Sequence, residues 1–184
     1  MHPVVETLQA LRGVQFTVAV TTVAEIGDLT RFDTPRELMN FLGLIPSEYT
    51  SGEQRRQGSI TKAGNTHARR VLVEGACSYR YPAKASRHLQ LRLEKQPKMI
   101  QDISWKARVR LCKRYRRLVS RGKHANVVTV AIASELAGFM WAIAKQVPMT
   151  PQGRDRSRFN PQLGRFPTYI GRGAAPVWCN PRRR

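Results

Sequence analysis

The residues best suited to chemistry in this 184-residue chain crowd into one polar stretch. It runs from Pro46-Ser47-Glu48-Tyr49-Thr50-Ser51-Gly52 through Arg55-Arg56-Gln57-Gly58-Ser59-Ile60-Thr61-Lys62-Ala63-Gly64-Asn65. Hydroxyls, amides and cations stand side by side there, the groups needed to bind or attack a phosphodiester. Ser51 is the candidate nucleophile. A hydroxyl attacking phosphorus must lose its proton while the equatorial oxygens are neutralised. Arg55, Arg56 and Lys62 supply cations for the second task, and the free amides of a helix start capped by Asn65 favour an anion. For the first task only Glu48 and His67 lie nearby in sequence. Tyr49 offers a second hydroxyl or a stacking ring. Taken alone, a Ser-Gly pair is ordinarily just a turn, so the reading rests on the company Ser51 keeps.

Charge supports a polyanion as the partner. With 32 basic against 12 acidic side chains the formal net charge is +20, the footprint of a chain whose affinity for phosphate backbones is driven by counterion release. A cationic ribosome-associated or structural protein would share that balance. At 41% hydrophobic residues the chain has enough apolar side chains to bury a core. Cys77, Cys112 and Cys179 are far apart and odd in number, so no disulfide framework or metal pair is legible. The N-terminus has no signal-peptide pattern, and a reducing cytoplasmic setting close to the nucleoid is expected. The most apolar run, Val127 to Val147, contains Glu135 and Lys145 and reads as a buried helix rather than a membrane span.

Around the polar stretch the spacing predicts a mostly α fold: a helix-hairpin-helix-like start followed by a helical bundle. Val5, Leu8 and Leu11 recur at helical spacing over Val4 to Arg12, and a second helix covers Thr17 to Ile26. Their tight turn at Gly13 resembles a helix-hairpin-helix, with Gln15 where a second turn glycine is expected. The alternative is a plain helical pair packed through Leu11, Val14, Ala19 and Val23. Thr34-Pro35-Arg36-Glu37 is a capping box with proline at the first helical position. Asn65 caps the next helix, whose apolar positions are Ala68, Val71, Leu72, Ala76 and Tyr79, with Arg69 and Arg70 on other faces. A further helix runs from about Ser86 to Lys95. No strand pattern is evident.

The long helix from Met99 to about Arg121 carries an apolar stripe through Ile103, Ala107, Leu111, Tyr115 and Leu118. Lys106, Arg110, Lys113 and Arg117 form a positive ridge beside it, nearly unopposed by acids. Such a ridge is either a solvated face or a contact for a phosphate backbone. The candidate nucleic-acid-binding set is therefore Arg55, Arg56, Lys62, Arg69, Arg70, Lys106, Arg110, Lys113 and Arg117. The twelve acids are scattered singly, Glu25, Asp28 and Asp33 at helix ends, so no magnesium site of a nuclease and no other metal site is expected in this chain. Residues 1–147 form the expected helical domain. Residues 148–184, with six of the eleven prolines and eight arginines against one acid, read as an extended, disordered basic tail.

Several segments occur in an order that is more specific than any one of them. They are Leu11-Arg12-Gly13-Val14, Ala24-Glu25-Ile26-Gly27-Asp28, Arg31-Phe32, Phe41-Leu42-Gly43-Leu44-Ile45-Pro46-Ser47-Glu48, Thr50-Ser51-Gly52, and Ile60-Thr61-Lys62-Ala63-Gly64-Asn65 to Arg69-Arg70-Val71-Leu72-Val73-Glu74. Together, over roughly residues 8 to 147, they resemble the C-terminal serine-containing domain of the Piv-like insertion-sequence-one-ten transposases (the insertion-sequence 116/110/902 type). The resemblance implies DNA recombination through a covalent DNA-phosphoserine link at Ser51, with Arg55, Arg56 and Lys62 as the basic residues that follow it. It also implies a RuvC-like nuclease domain with a magnesium site, which is expected to be absent from this chain, and an element-encoded guide RNA as a partner beside DNA. The chain is thus expected to be a truncated copy, inactive alone unless that nuclease domain complements it, and free to form a homo-oligomer. The alternative is a non-catalytic basic helix-hairpin-helix module that binds nucleic acid.

Overall fold

The computed structural model describes residues 3–51 and 54–147, and over 49–51 and 54–57 its backbone alone. The fold is mostly helical. In chain order it runs α1 (Pro3–Leu8), α2 (Phe16–Ile26), α3 (Pro35–Phe41), β1 (Pro46–Ser51), β2 (Gln54–Ile60), α4 (Thr66–Ala76), α5 (Arg87–Glu94), α6 (Lys98–Ser120) and α7 (Ala125–Ala144), with 3-10 turns at Leu29–Arg31 and Cys77–Arg80. The expected tail at 148–184 lies outside the described residues.

The helix starts follow the capping chemistry. The Thr34 hydroxyl accepts from the Glu37 amide and the Glu37 carboxylate accepts from the Asp33 amide. Asn65 accepts from the Ala68 amide and Ser86 from the Leu89 amide. Each cap satisfies an amide that the first helical turn leaves unpaired. Asp28 caps the short turn at Leu29–Arg31.

The apolar helix α7 is the centre of the core. Val128, Ile132, Leu136, Met140 and Ile143 are buried, packed against α3, α4 and α6. It is the one described helix long and apolar enough to cross a membrane, and half of that window is buried inside the fold. Gly138 gives α3 room to approach: a Cβ there would sit 2.8 Å from Met39 Cε. Trp141 Nε1 donates to the Phe32 carbonyl at 2.9 Å, tying the end of α7 to the segment before α3.

Two expectations are corrected. The first helix stops at Leu8 rather than Arg12. Residues 9–11 continue it only as i to i+3 turns, with Gln9, Ala10 and Leu11 amides donating to Glu6, Thr7 and Leu8 carbonyls. More consequentially, the polar stretch is not merely a loop. It forms an antiparallel hairpin in which Pro46 faces Ile60, Glu48 faces Gln57 and Ser51 faces Gln54, with a register shift between the first two pairs. Period-two alternation of apolar residues was missing because this two-stranded sheet packs chiefly on itself. Among the strand residues whose side chains are described, 46–48 and 58–60, none is buried.

Candidate nucleic-acid interface

The hairpin is fixed at its base by main-chain contacts. The Thr61 amide donates to Ile45 at 2.9 Å and the Lys62 amide to Gly43 at 3.2 Å. Gly43 (φ +64) and Gly64 (φ +79) stand where a Cβ would fall 2.1 Å from the Ala63 carbonyl oxygen and 1.9 Å from that of Phe41. No L side chain fits either position, which is why the two glycines bracket this stretch. Lys62, exposed between them, has φ 56, the one non-glycine with positive φ among the described residues. A left-handed lysine costs about 1–2 kcal/mol, so the surrounding contacts hold it there.

Arg69 completes the clamp. Its Nη1 donates to the carbonyls of Leu42 (2.9 Å) and Ala63 (3.1 Å), and its Nη2 to the Thr66 hydroxyl (3.2 Å). One guanidinium thus bridges the end of α3 and the strand exit, where its planar fork meets several acceptors at once. Arg70, its neighbour, points to solvent and among the described residues pairs with Glu74 one turn on, at 3.2 Å. On the hairpin itself the backbone sets Arg55 opposite Thr50 and Arg56 opposite Tyr49, and Ser51 is the last paired residue before Gly52 and Glu53. The side chains of Ser51, Arg55 and Arg56 lie outside the described residues.

Glu25, anticipated only as a helix-end acid, links α2 to α4. Its Oε2 accepts from the Asn65 amide group and its Oε1 lies 2.8 Å from His67 Nδ1. The bond to His67, then the one to Asn65, holds the Glu25 carboxyl below the ordinary carboxylate range. His67 is therefore engaged on one ring nitrogen by a residue of α2, at the foot of the α4 cap. Ser51 stands five residues beyond Pro46, about 16 Å along the strand.

The turn between α1 and α2 faces inward. Gly13 (φ +80) lies against α4, where a Cβ would come 2.1 Å from the Gly75 carbonyl oxygen and 2.4 Å from Ser78 Oγ. The Val14 amide donates to Leu11, and Leu11, Val14 and Ala19 are fully buried. A turn spent on packing against α4 offers little to a DNA phosphate, so the plain helical pair describes it better than a helix-hairpin-helix contact.

The ridge on α6 is exposed. Lys106, Arg110, Lys113 and Arg117 all face solvent, because Ala107, Leu111 and Cys112 on the other side are buried. It is not unopposed, however. Glu135 of α7, 15% exposed, is 3.2 Å from Arg110 Nη2 and also pairs with Arg114. Arg114 was not anticipated as part of the ridge, although it stands one turn beyond Arg110. Together Arg110, Lys113, Arg114, Arg117 and Glu135 line a recess of about 380 Å³. Four cations around one carboxylate leave a net positive hollow on the surface, suited to an anionic oxygen cluster.

A second group of cations is internal. Partly buried Arg12 donates to the Pro82 carbonyl, and Arg108 is 5% exposed, its Nε and Nη1 lacking partners among the described residues. Burial pushes the Arg108 guanidinium below its ordinary value, the Arg12 charge adding to it. Burial likewise raises the nearby Tyr79 phenol, whose hydroxyl has no partner. Among the described residues no three His, Cys, Asp or Glu side chains converge to hold a metal ion. No magnesium-dependent step is assigned to them.

Comparison with known proteins agrees with the ordered motifs. Residues 5–90 match the family model of the transposase IS116/IS110/IS902 family. The transposase candidate y4qE of Sinorhizobium fredii is 50% identical over 147 residues, covering 80% of this chain and 38% of that protein. A family 20 transposase candidate of Pseudomonas aeruginosa is 30% identical over 145 residues, covering 76% of the chain and 35% of the relative. The transposase for insertion sequence element IS1111A of Coxiella burnetii is 34% identical over 71 residues, covering 39% and 20%. The chain thus spans well under half the length of the curated relatives it matches. The ordered motifs and the matched segment agree: residues 5–90 of this chain are similar to the IS116/IS110/IS902 transposase family.

Proposed function

We propose that the chain is a DNA-binding portion of an insertion-sequence transposase in which Ser51 acts as the nucleophile of strand exchange. Its Oγ attacks a DNA phosphorus and forms an ester to the 5′ phosphate. The 3′ oxygen leaves with the proton, and the reverse step rejoins the strand to a new end. Arg55, Arg56 and Lys62 neutralise the phosphate oxygens, while the α6 ridge holds the backbone nearby. A RuvC-like nuclease domain, joined in a longer protein or supplied in trans, would hold the magnesium ion and supply metal-assisted phosphoryl chemistry. DNA, with an element-encoded guide RNA, is the partner, and the nucleoid is the place of action.

The observation that carries this reading is the clamped hairpin. The family segment spends Gly43, Gly64 and Arg69 on fixing the base of a hairpin whose last paired residue is Ser51. A hairpin with no chemistry at its end would not need so constrained a base. Positioning of this kind is what a reaction at phosphorus requires, since a misplacement of about 1 Å can cost a hundredfold in rate. The test is covalent capture of a nicked DNA substrate in the presence of a family nuclease domain. Wild type and Tyr49→Phe are expected to give a denaturant-resistant DNA adduct and Ser51→Ala none. Undiminished capture by Ser51→Ala would remove Ser51 from the reaction.

A further inference from the structure

We propose that the α6 face binds an unpaired nucleotide strand, with Trp105 as the platform on which one base stacks. The inference rests on the nucleic-acid reading above and specifies what that face takes. Trp105 is 56% exposed, in the company of other exposed apolar side chains such as Phe16 at 51% and Met99 at 60%, but it presents the largest flat surface among them. It is nonetheless held in place. Arg108, a residue only 5% exposed, sets its guanidinium carbon 4.7 Å from the ring centroid. One face of the indole therefore rests on a buried cation, and much of the ring is left to solvent. An aromatic ring immobilised in advance loses little conformational freedom on binding.

The surroundings select the partner. Trp105, Lys106, Val109, Arg110 and Phe139 line a recess of about 440 Å³, so an apolar floor adjoins two cations. From there Lys113 and Arg117 continue along the helix, about 16 Å from Lys106 to Arg117. A flat aromatic surface at the head of a cationic track is the arrangement that unpaired strands use: the base lies on the ring and the phosphates follow the charges. A protein partner for an apolar patch would not need the cationic track. A regular duplex would meet the cations but keeps its bases stacked on each other, away from Trp105.

The experiment uses the full chain and three fluorescent probes at one salt concentration: an unpaired deoxythymidine oligomer, an unpaired uridine oligomer and a DNA duplex of equal length. Trp105→Ala is expected to weaken binding of the unpaired probes by about 5- to 150-fold and to change duplex binding less than twofold. Trp105→Phe is expected to keep most of the affinity. Trp105→Leu, which retains apolar bulk without a π face, is expected to behave like alanine. Circular dichroism checks that each variant is folded. The deoxythymidine and uridine arms tell whether the strand is DNA or RNA. Unchanged binding of both unpaired probes by Trp105→Ala, equal loss on duplex and unpaired probes, or full affinity in Trp105→Leu would overturn the platform. Neutralising Lys113 and Arg117 weakens all probes if the broader nucleic-acid reading holds, whatever Trp105 does.

Discussion

The hairpin segment and the α6 ridge are both rich in cations by sequence, yet they are positioned by opposite means. At the hairpin the controlling contacts all end on main-chain atoms: glycines that admit no Cβ, amides bonded across the strand base, and the Arg69 side chain spread over two carbonyls. The ridge is positioned by side-chain burial on the far face of one helix, where Ala107, Leu111 and Cys112 pack into the core. A site held by the main chain tolerates no change at its few fixing residues. A site held by a packed helix tolerates most changes on its exposed face and reports them as binding rather than stability. The contrast separates residues that act on a ligand from residues that act on the fold, although both kinds here are arginines and lysines.

The largest effect should come from the glycines. Gly64→Ala or Gly43→Ala forces a Cβ onto a carbonyl oxygen at positive φ and is expected to cost about 3–5 kcal/mol in urea unfolding. Gly122 has φ +72 and nothing within 4 Å of its Cβ position, so Gly122→Ala is expected to cost only about 1–2 kcal/mol. Equal losses at the two kinds of site would erase the distinction. Next comes Arg69→Met, which leaves the Leu42 and Ala63 carbonyls without their donor, at about 1–3 kcal/mol. Arg69→Lys recovers only part, since an ammonium cannot reproduce the fork. The adjacent Arg70→Gln should move stability by no more than about 0.5 kcal/mol, because both partners of its ion pair are exposed.

On the ridge the sign of the comparison reverses. Replacing Arg110, Lys113 and Arg117 by glutamine together is expected to lower the slope of log binding constant against log salt for duplex DNA by about 2 to 3. Thermal unfolding should scarcely change. A shift in stability with no shift in slope would mean that the ridge serves the fold.

The smallest effect concerns Glu25. Its carboxyl is depressed in the folded chain by His67 and Asn65, so the stability it contributes is present above the unfolded carboxylate value, about 4.3. That contribution fades as pH falls through the folded value. Unfolding followed from pH 6 to pH 3 should show a loss below about pH 4 that is reduced in Glu25→Gln. Identical acid profiles for the two proteins would contradict the assignment.

The helices were legible because their signals are local. Thr34, Asn65 and Ser86 cap as their types and spacing indicate, and the ridge emerged from periodicity alone. What escaped was tertiary. The hairpin carries no apolar alternation, and its clearest cue was the Gly-Glu pair between two polar runs. Arg69 and Arg70 are indistinguishable in sequence, and only the carbonyls of Leu42 and Ala63 assign the first to the fold. Glu135 answers Arg110 across 25 residues, a pairing that no local pattern announces. Trp105 carries no local signal beyond its place on a basic helix; its exposure and its contact with Arg108 are properties of the fold. The order of the motifs pointed to the family that residues 5–90 match, and the glycines within it explain physically why two of those motifs must stay as they are.

The measurement that bears most directly on the account is the identity of the residue that carries DNA. The covalent adduct formed with a family nuclease domain in trans can be digested with nuclease and protease, and the peptide bearing the residual nucleotide sequenced by mass spectrometry. The account predicts a phosphoester on Ser51. A phosphoester on Tyr49, or on a residue outside the hairpin, would contradict it.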